Sequence, residues 1–518
     1  MTAKTRYDVL SSTRSPYLNT ADEAAKLTIP YLIDQTEASI GKRVTKTPWQ
    51  SVGAKGVVTL SAKLMLSLLP PQTSFFKLQV DESQLVNYGP EVKSELDLAF
   101  AKVERTILES IAASDDRVTV HQAMKHLVVT GNALIFMGKK GLKLFPLNRY
   151  VIDRDGNGNV IEIVTKESIN KKIIEELIPD IKTDEMDGNS DDNNKDCDVY
   201  THAKVNGNRI VWHQEVYDKI IPKSQGKAPL SITPWLPLRF NVVDGEDYGR
   251  GRVEEFMGDL KSLEALSQAL VEGSAAAAKV VFTVSPSSST KPATLAQAGN
   301  GAIIQGRPDD IGVVQVGKGA DFQTAYQALG TIEKRLSEAF LILSVRQSER
   351  TTAEEVRMTQ MELEQQLGGL FSLLTVEFLV PYLDRKLSVM QKEGSIPRIP
   401  KDVVKPTIVA GINALGRGQD RESLTMFMQT IANTVGPEAM MNFINPDEVI
   451  KRLAAASGID VLNLVKSMQE IQGQQQQQMQ QQMAMQEQQN APAMAAVEQK
   501  QKQAEMQMAM QAQQQQSP

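Results

Sequence analysis

The helical repeat of apolar residues over 250–279 constrains the fold of this chain more than any other feature. Apolar side chains recur there every three or four residues, which lines up one face of an α-helix. The stripe comprises Val253, Phe256, Met257, Leu260, Leu263, Leu266 and Leu270. The segment closes on the alanines of 275–278, whose small side chains suit close contact between helices. The pattern predicts one long amphipathic helix that must bury its apolar face.

Two further helices are predicted on either side of a short polar segment. Residues 321–343 keep helical spacing, and a second helical stretch covers 352–387. Two overlapping capping boxes in TTAEE, residues 351–355, start this second helix. At about 1.5 Å per residue it spans about 50 Å. Gly368 and Gly369 interrupt it, which predicts a bend.

The centre of the chain, 142–240, is rich in strand signals. Tyr150–Asp153 and Val160–Val164 alternate like strands, and Asp-Gly-Asn-Gly at 155–158 separates them. Asp-Gly and Asn-Gly readily adopt the positive φ angles of tight turns, so this stretch predicts a β-hairpin. Strands are also predicted at Phe75–Val80, Val199–Ala203 and Arg209–Tyr217.

The flanking regions predict mostly helices. Residues 20–70 indicate helix, loop and helix, and 91–137 indicate two helices, the second from His121 to Met137. Short helices are predicted over 398–470. A chain of 518 residues is long enough for two to four packed regions. The fold class predicted is α+β, mainly helical.

The charge balance argues against a protein that holds nucleic acid tightly. The formal net charge is −6, whereas a nucleic-acid reader usually has a basic surplus. Any contact with DNA must therefore be local or weak. The single cysteine, Cys197, excludes a disulfide framework and fits a reducing compartment. Its acidic surroundings, 182–198, predict an exposed loop.

The sequence contains no predicted membrane segment. The most apolar short stretch, Leu60–Leu69, contains Lys63 and is too short to span a bilayer. It predicts a buried amphipathic helix instead. Residues 1–10 lack the apolar core of a secretory signal.

The motif search favours a chain without catalytic residues, metal or cofactor. Asp153, Asp155 and Asn157 begin like a calcium loop, but the twelfth position is Val164 instead of the required glutamate. This mismatch favours a plain hairpin tip. The four histidines, His121, His126, His202 and His213, lack zinc-ligand spacing. The sequence has no Walker A motif and no dinucleotide fingerprint.

Two segments stay open on their residues alone. Ser344–Arg350 (SVRQSER) is either a helix-connecting loop whose arginines pair with nearby carboxylates or a polar contact segment, and its surroundings favour the loop. From Gln472 onward the chain is Gln, Met and Ala with few charges. These residues form helices well but show no sustained heptad. The tail is thus either disordered, which its composition favours, or helical only in an assembly.

A family resemblance is carried by several motifs in order over roughly 45–420. They are TPWQSVGAKG, LSAKLMLSLLPPQTSFF, LVVTGNALIFM, YVIDRDGNGNVIEIVTKE, DGEDYGRGRVEEFMGDLKSLEALSQALVE, GRPDDI, RLSEAFLILSVRQSERTTAEEVR, ELEQQLGGLFSLL and GINALGRGQD. With these motifs the chain resembles portal (head-to-tail connector) proteins of short-tailed podoviruses of the autographivirus group. Residues 170–230 and the tail after about 470 match that family poorly.

The resemblance implies a phage portal fold with wing, stem, clip and crown, assembled as a ring, usually of twelve subunits. The regions it implies are an N-terminal wing (1–249, with strand-rich 142–240), a stem helix (250–279), a clip (280–317), a returning stem helix (318–342), a tunnel loop (343–351), a long bent wing–crown helix (352–397), a crown (398–470) and a Gln/Met-rich tail that is disordered or a barrel helix (471–518).

The resemblance also implies residue roles. In that family the tunnel loop faces DNA, so the preference for this segment shifts to channel contacts by Ser344, Arg346, Gln347, Ser348 and Arg350. The stem residues expected at subunit interfaces are Val253, Phe256, Leu260, Leu263 and Leu270. Gly368 and Gly369 would bend the long helix.

The function implied is a ring at one capsid vertex of the virion, assembled in the host cytoplasm. It would be the channel for DNA packaging and ejection and the docking platform for terminase and tail. The implied partners are further copies of the chain, double-stranded DNA passing without sequence preference, the terminase large subunit, a tail adaptor, major capsid and scaffolding proteins, and internal core or ejection proteins, with no membrane.

Two other classes are weighed against this one. Another structural ring of the virion, such as a tail adaptor, is usually shorter and lacks a long helix–loop–helix channel segment. A packaging ATPase or nuclease needs a Walker A lysine or a carboxylate–histidine metal cluster. Neither is found in the sequence.

Overall fold

The computed structural model divides the chain into two units, 1–414 and 415–518. It describes residues 1–33, 46–71, 74–80, 90–139, 141–178, 196–277, 281–288, 290–299, 301–314, 319–342, 367–397, 404–408, 417–434, 436, 449 and 499–510.

Most elements of the first unit are helices and antiparallel strands. Its helices are Ala3–Lys26 (α1), Val52–Leu68 (α2), Pro90–Ala112 (α3), Asp116–Thr130 (α4), Lys171–Leu177 (α5), Arg252–Glu255 (α6), Met257–Ala277 (α7), Pro292–Gln297 (α8), Gly319–Ala339 (α9) and Leu367–Glu393 (α10). Its strands are Phe76–Val80 (β1), Asn132–Gly138 (β2), Gly141–Phe145 (β3), Tyr150–Arg154 (β4), Val160–Asn170 (β5), Asp196–Asn206 (β6), Arg209–Val216 (β7), Lys219–Ile220 (β8), Gly226–Pro229 (β9), Trp235–Arg239 (β10), Val281–Val284 (β11), Ile311–Val314 (β12) and Val404–Ile408 (β13).

The second unit contains two described helices. They are Arg417–Thr434 (α11) and residues 499–510 (α12). The side chains of α12 are exposed, including Met506 and Met508. Residues 499–510 of the Gln/Met-rich tail are therefore helical, while the choice between a disordered tail and a helix formed in an assembly stays a prediction.

The large hydrophobic core of the first unit contains the apolar face of α2. Four residues of this face, at helical spacing, are fully buried: Val57, Leu60, Leu64 and Leu68. Each buried leucine contributes about 1.5–3 kcal/mol. Glycine lets this face approach other elements closely. A Cβ at Gly56 would lie 2.7 Å from Cγ of Phe340.

A six-stranded antiparallel sheet forms the strand-rich centre. Its order is β4-β5-β6-β7-β8, and β9 pairs with β7. The predicted hairpin is confirmed, since β4 and β5 pair around residues 155–159. Helix α1 packs on this sheet and on α4. A second sheet has the order β10-β2-β3, and β1 pairs with β13. The helices and sheets together confirm the α+β, mainly helical class.

The predicted helix from His121 to Met137 is wrong in its last third. Helix α4 ends at Thr130, because Gly131 adopts a left-handed φ of 75°. A Cβ at that position would lie 2.4 Å from the backbone carbon of Arg250, so glycine is required there. The apolar residues that follow form the central strand β2, buried between β10 and β3.

Three further predictions differ from the structure. Cys197 does not lie in an exposed loop; it is buried in β6. Residues 404–408, predicted within a set of short helices, form strand β13, which pairs with β1. The predicted helix 321–343 ends at Ala339. The first two differences arise from pairing with distant strands, which local spacing does not reveal.

Helix α10 is the described helix that could cross a membrane by length and composition alone. Its Phe378, Leu379 and Leu383 side chains are fully buried in the protein core. That packing is typical of a core helix.

Candidate functional site

The predicted stem is a pair of packed helices, α7 and α9, joined by the strand pair β11–β12. The single helix predicted over 250–279 is interrupted at Phe256, whose φ of −112° and ψ of 17° separate α6 from α7. An ion pair between Arg335 and Asp259 links the two long helices, with 2.9 Å between Nη2 and Oδ1. Phe322 packs where a Cβ at Gly273 would lie, so the helices approach closely there.

The predicted interface residues of the stem lie in different environments. Val253, Leu260 and Leu263 are fully buried in the core of their own chain. Phe256 is half-buried beside Phe340, with ring centroids 6.0 Å apart. Leu270 is half-exposed. Three of the five residues thus stabilise the subunit itself, whereas Phe256 and Leu270 keep surface that another molecule could contact.

The distal halves of α7 and α9, which are the halves next to the strand pair β11–β12 in the chain, carry almost no charge. Residues 322–332 contain no charged side chain, and 265–277 contain only Glu272. Apart from Glu272, the exposed side chains there are uncharged, among them Gln327, Val271 (53% exposed) and Tyr326 (70% exposed). This surface offers polar and apolar contacts but little attraction for phosphate.

The chain leaves α9 through a defined turn. The amide of Leu341 donates to Glu338 O (3.1 Å), and that of Ile342 donates to Ser337 O (2.7 Å). This pair of bonds is a Schellman motif. Leu341 occupies the left-handed position at a φ of 55°. Glycine is usual there, so the surrounding packing must hold the leucine in this conformation.

The predicted tunnel-loop residues lie outside the described residues, and their contact with DNA stays a prediction. They are Ser344, Arg346, Gln347, Ser348 and Arg350. The start of the long helix and its capping boxes also lie outside the described residues, which resume at Leu367.

Helix α10 contains the predicted bend glycines and a feature that the sequence did not reveal. Gly368 and Gly369 lie in its first described turn, and a Cβ at either would meet nothing within 4 Å. The bend stays a prediction, since the preceding residues are not described. Further along, Thr375–Leu379 forms a π-helical turn. There Glu377 accepts from Nε (2.9 Å), Nη2 (2.6 Å) and the backbone amide (2.8 Å) of Arg239.

A second set of polar residues, missed from the sequence, fastens α1 to the six-stranded sheet. His202 and His213 face each other across β6 and β7. His202 bonds to Glu162 (2.9 Å), and His213 bonds to Glu215 (2.7 Å). The opposite side of each carboxylate binds the helix, Glu162 through Arg6 and Glu215 through the amide of Ala3. The sequence contained part of this information. The Asn206-Gly207 pair predicts a tight turn, and pairing from that turn places His202 opposite His213.

The polar clusters within the described ranges do not form a metal site. No group of three His, Cys, Asp or Glu residues there could hold an ion. Asp155 accepts from the amides of Asn157 (2.9 Å) and Asn159 (2.8 Å), so its carboxylate is used by the hairpin tip. Burial, helped by the charge of Lys125, lowers the pKa of His126 to about 4, which keeps that imidazole neutral in the core.

Comparison with known proteins decides the family. Residues 1–465 match the family model of bacteriophage head to tail connecting proteins. The portal protein of Escherichia phage T7 is 37% identical over 485 residues, covering 91% of this chain and 89% of that protein. The portal protein of Enterobacteria phage T3 is 37% identical over 490 residues, with the same coverage of each.

This chain belongs to the bacteriophage head-to-tail connecting protein family. The family predicted from the motifs is therefore confirmed. Among solved structures, the connector protein is similar to a chain in the neck of an empty gene transfer agent (GTA) particle computed with C6 symmetry. The TM-score is 0.37 at 10% identity, over 79% of this chain and 90% of that one. The family match also spans residues 170–230, where the motifs had been weakest.

Proposed function

We propose that this connector protein is a portal subunit, which forms a ring around the channel through which the viral genome enters and leaves the head. The observation that carries the proposal is the 37% identity to portal proteins over nine-tenths of the chain. As a member of the head-to-tail connecting family, the protein has its place in the virion at the junction of head and tail. We take the ring to contain twelve subunits.

The proposal assigns the stem to α7 and α9 and the DNA contact to the segment 343–351. The distal halves of both helices support this assignment, since Glu272 is the one charged residue within 265–277 and 322–332. A channel that neutralised many phosphates would release counterions and hold DNA tightly, with a steep salt dependence. DNA must instead slide, so a mostly neutral wall with a narrow basic zone at Arg346 and Arg350 suits a conduit.

The remaining partners follow from the same role. The clip, 280–317, would dock the terminase large subunit during packaging and the tail adaptor afterwards. The wing, 1–249, would contact capsid and scaffolding proteins, and the crown would face internal core or ejection proteins. We assign the chain no catalytic step, since the portal relatives are structural proteins and the packaging energy would come from the terminase.

Two measurements on the purified full chain test this function. Native mass spectrometry and negative-stain imaging should find a closed ring with an axial hole. Filter binding to assembled rings should find weak DNA binding without sequence preference. A chain that stays monomeric under all assembly conditions contradicts the ring. Nanomolar, sequence-selective binding contradicts the sliding channel.

Paired arginine variants test the DNA contact itself. Arg346→Ala combined with Arg350→Ala should leave rings intact and make the logarithm of DNA affinity less dependent on the logarithm of salt concentration, because fewer phosphates are neutralised. Arg209→Ala, which removes an exposed arginine on β7 in the proposed wing, is the matched control and should leave that slope unchanged. If the salt dependence of DNA affinity is the same in all three proteins, these arginines do not contact the DNA.

A further inference from the structure

The last turn of α9 is held by side chains from two other helices. Lys63 of α2 donates from Nζ to the carbonyl oxygen of Leu341 at 2.6 Å. Arg252 of α6 donates from Nε (3.4 Å) and Nη2 (3.2 Å) to the carbonyl oxygen of Ala339. Phe340 between them is fully buried. Two cations thus meet the carbonyl end of a helix, where the backbone dipoles attract positive charge.

Lys63 occupies a position where an apolar side chain could be buried at a lower cost in free energy. It lies on α2 between the buried Leu60 and Leu64, is itself partly buried, and burial lowers its pKa. Among the residues that the structure describes, no carboxylate oxygen lies within 4 Å of its Nζ, and its hydrogen bond there goes to the carbonyl of Leu341. A buried ammonium costs free energy unless it is well bonded. The placement of Lys63 therefore points to that carbonyl.

Fixing this carbonyl fixes the course of the chain. The oxygen of Leu341 belongs to the rigid peptide plane that also contains the amide of Ile342. That amide is bonded to Ser337 O at 2.7 Å. With both ends of the plane bonded, the position of the Cα of Ile342 is fixed, and this is the point from which the chain continues to 343. Leu341, held at a φ of 55°, depends on such contacts because a leucine in this conformation is strained.

We propose that Lys63 is a positioning residue that sets the direction in which the chain leaves α9 toward 343–351. Its consequence for the channel rests on the proposed function, in which that segment faces DNA. Lys63 acts from α2, nearly three hundred residues earlier in the chain, and touches no DNA in this proposal. It orients the segment that does.

Distances between spin labels on the full chain test the positioning without any need for rings or DNA. One label is attached at Ile342→Cys, the last described residue after α9, and one at Thr13→Cys on α1, with Cys197→Ser as background. The parent should give one narrow distance distribution. Lys63→Met, which keeps an apolar stem but removes the donor, should lose the narrow peak. Lys63→Arg, which keeps a cation, should restore it. Lys55→Met, an exposed lysine on the same helix, is the control and should match the parent.

A structural role alone would give a different result. Lys63→Met would then lower the melting temperature while the label distribution stayed as narrow as in the parent, and the proposal would be overturned. The same holds if the control and Lys63→Met broaden the distribution equally.

A second arm separates this proposal from the function on which it rests. In assembled rings, Lys63→Met should reduce the part of DNA binding that depends on Arg346 and Arg350. If parent rings show no such part, the proposed DNA contact fails, while the label distances still decide the role of Lys63.

Discussion

At the scale of single residues, the most informative side chains are buried carboxylates with two partners each. Glu162 accepts from Arg6 on α1 and from His202 on β6. Asp116 accepts from the hydroxyl of Tyr382 (2.6 Å) and from Lys386 (3.1 Å), both on α10. Each carboxylate joins elements far apart in sequence. A single sequence shows none of these pairings, because an isolated glutamate looks the same on a surface and in a core.

Glu162→Gln should destabilise the protein by about 1–3 kcal/mol at neutral pH, because Arg6 and His202 lose a charged acceptor. Burial alone would raise the pKa of Glu162, but hydrogen bonds from Arg6 and His202 outweigh it and the pKa lies below its ordinary value. A carboxyl with a lowered folded-state pKa stabilises the fold fully above its unfolded pKa and loses that contribution as the pH falls through the folded one. The variant should therefore differ from the parent most near pH 7 and least in acid.

Denaturant unfolding at several pH values measures this difference. Glu176→Gln, on an exposed site of α5, is the control and should match the parent at each pH. A Glu162→Gln deficit of the same size at neutral and at acid pH would show that the charge of Glu162 is not what stabilises the cluster.

At the scale of elements, the apolar stripes were predictable and the element types beside them were not. The face of α2 and the first half of α7 follow from three-and-four spacing alone. The run Ala133–Met137 is apolar at every position, so its spacing cannot separate a helix from a buried strand. Its partners β3 and β10 decide for a strand. The π-helical turn of α10 leaves no mark in the sequence either, and the partner of its Glu377 is Arg239, which lies far away in the chain.

Glu377→Ala should cost about 3–5 kcal/mol, because it leaves Arg239 buried without its partner. The side chains of both are about one-tenth exposed. Thermal unfolding measures the loss. The double variant Arg239→Met with Glu377→Met removes both charges and should recover much of the stability. A double variant as unstable as Glu377→Ala would assign the cost to the helix turn and not to the charge.

Leu263→Asp should unfold the subunit before any assembly, because the aspartate would replace a fully buried side chain of the core. The loss of packing alone is about 2–5 kcal/mol, and the buried charge adds to it. This differs from the sequence-based expectation that Leu263 lies at a subunit interface, since Leu263 packs inside its own chain. Circular dichroism and size-exclusion chromatography should find unfolded or aggregated protein. A folded monomer would place Leu263 on an interface.

At the scale of the whole molecule, composition and motifs reach only a mainly helical chain with a net charge of −6 and no catalytic motif. The ring is a property of many copies, and no periodicity within one chain encodes it. The ring is inferred from the family to which the chain belongs. The structure adds where such contacts remain possible, because three of the five predicted interface residues are buried inside the subunit, whereas the distal half of α7 keeps exposed side chains such as Val271.

Val271→Asp tests that division and should leave the subunit folded while it prevents the closed ring. Val271 is 53% exposed, so the change in the stability of the isolated chain should stay within about 0.5 kcal/mol. A ring repeats one heterologous contact at every interface, so one charge buried without a partner is repeated around the whole assembly. Native mass spectrometry should find monomers. Thermal unfolding of these monomers should give the melting temperature of the parent monomer. Val271→Thr, of nearly the same shape and uncharged, should still form rings. Closed rings from Val271→Asp at the parent's protein concentration would move the subunit contact away from the distal half of α7.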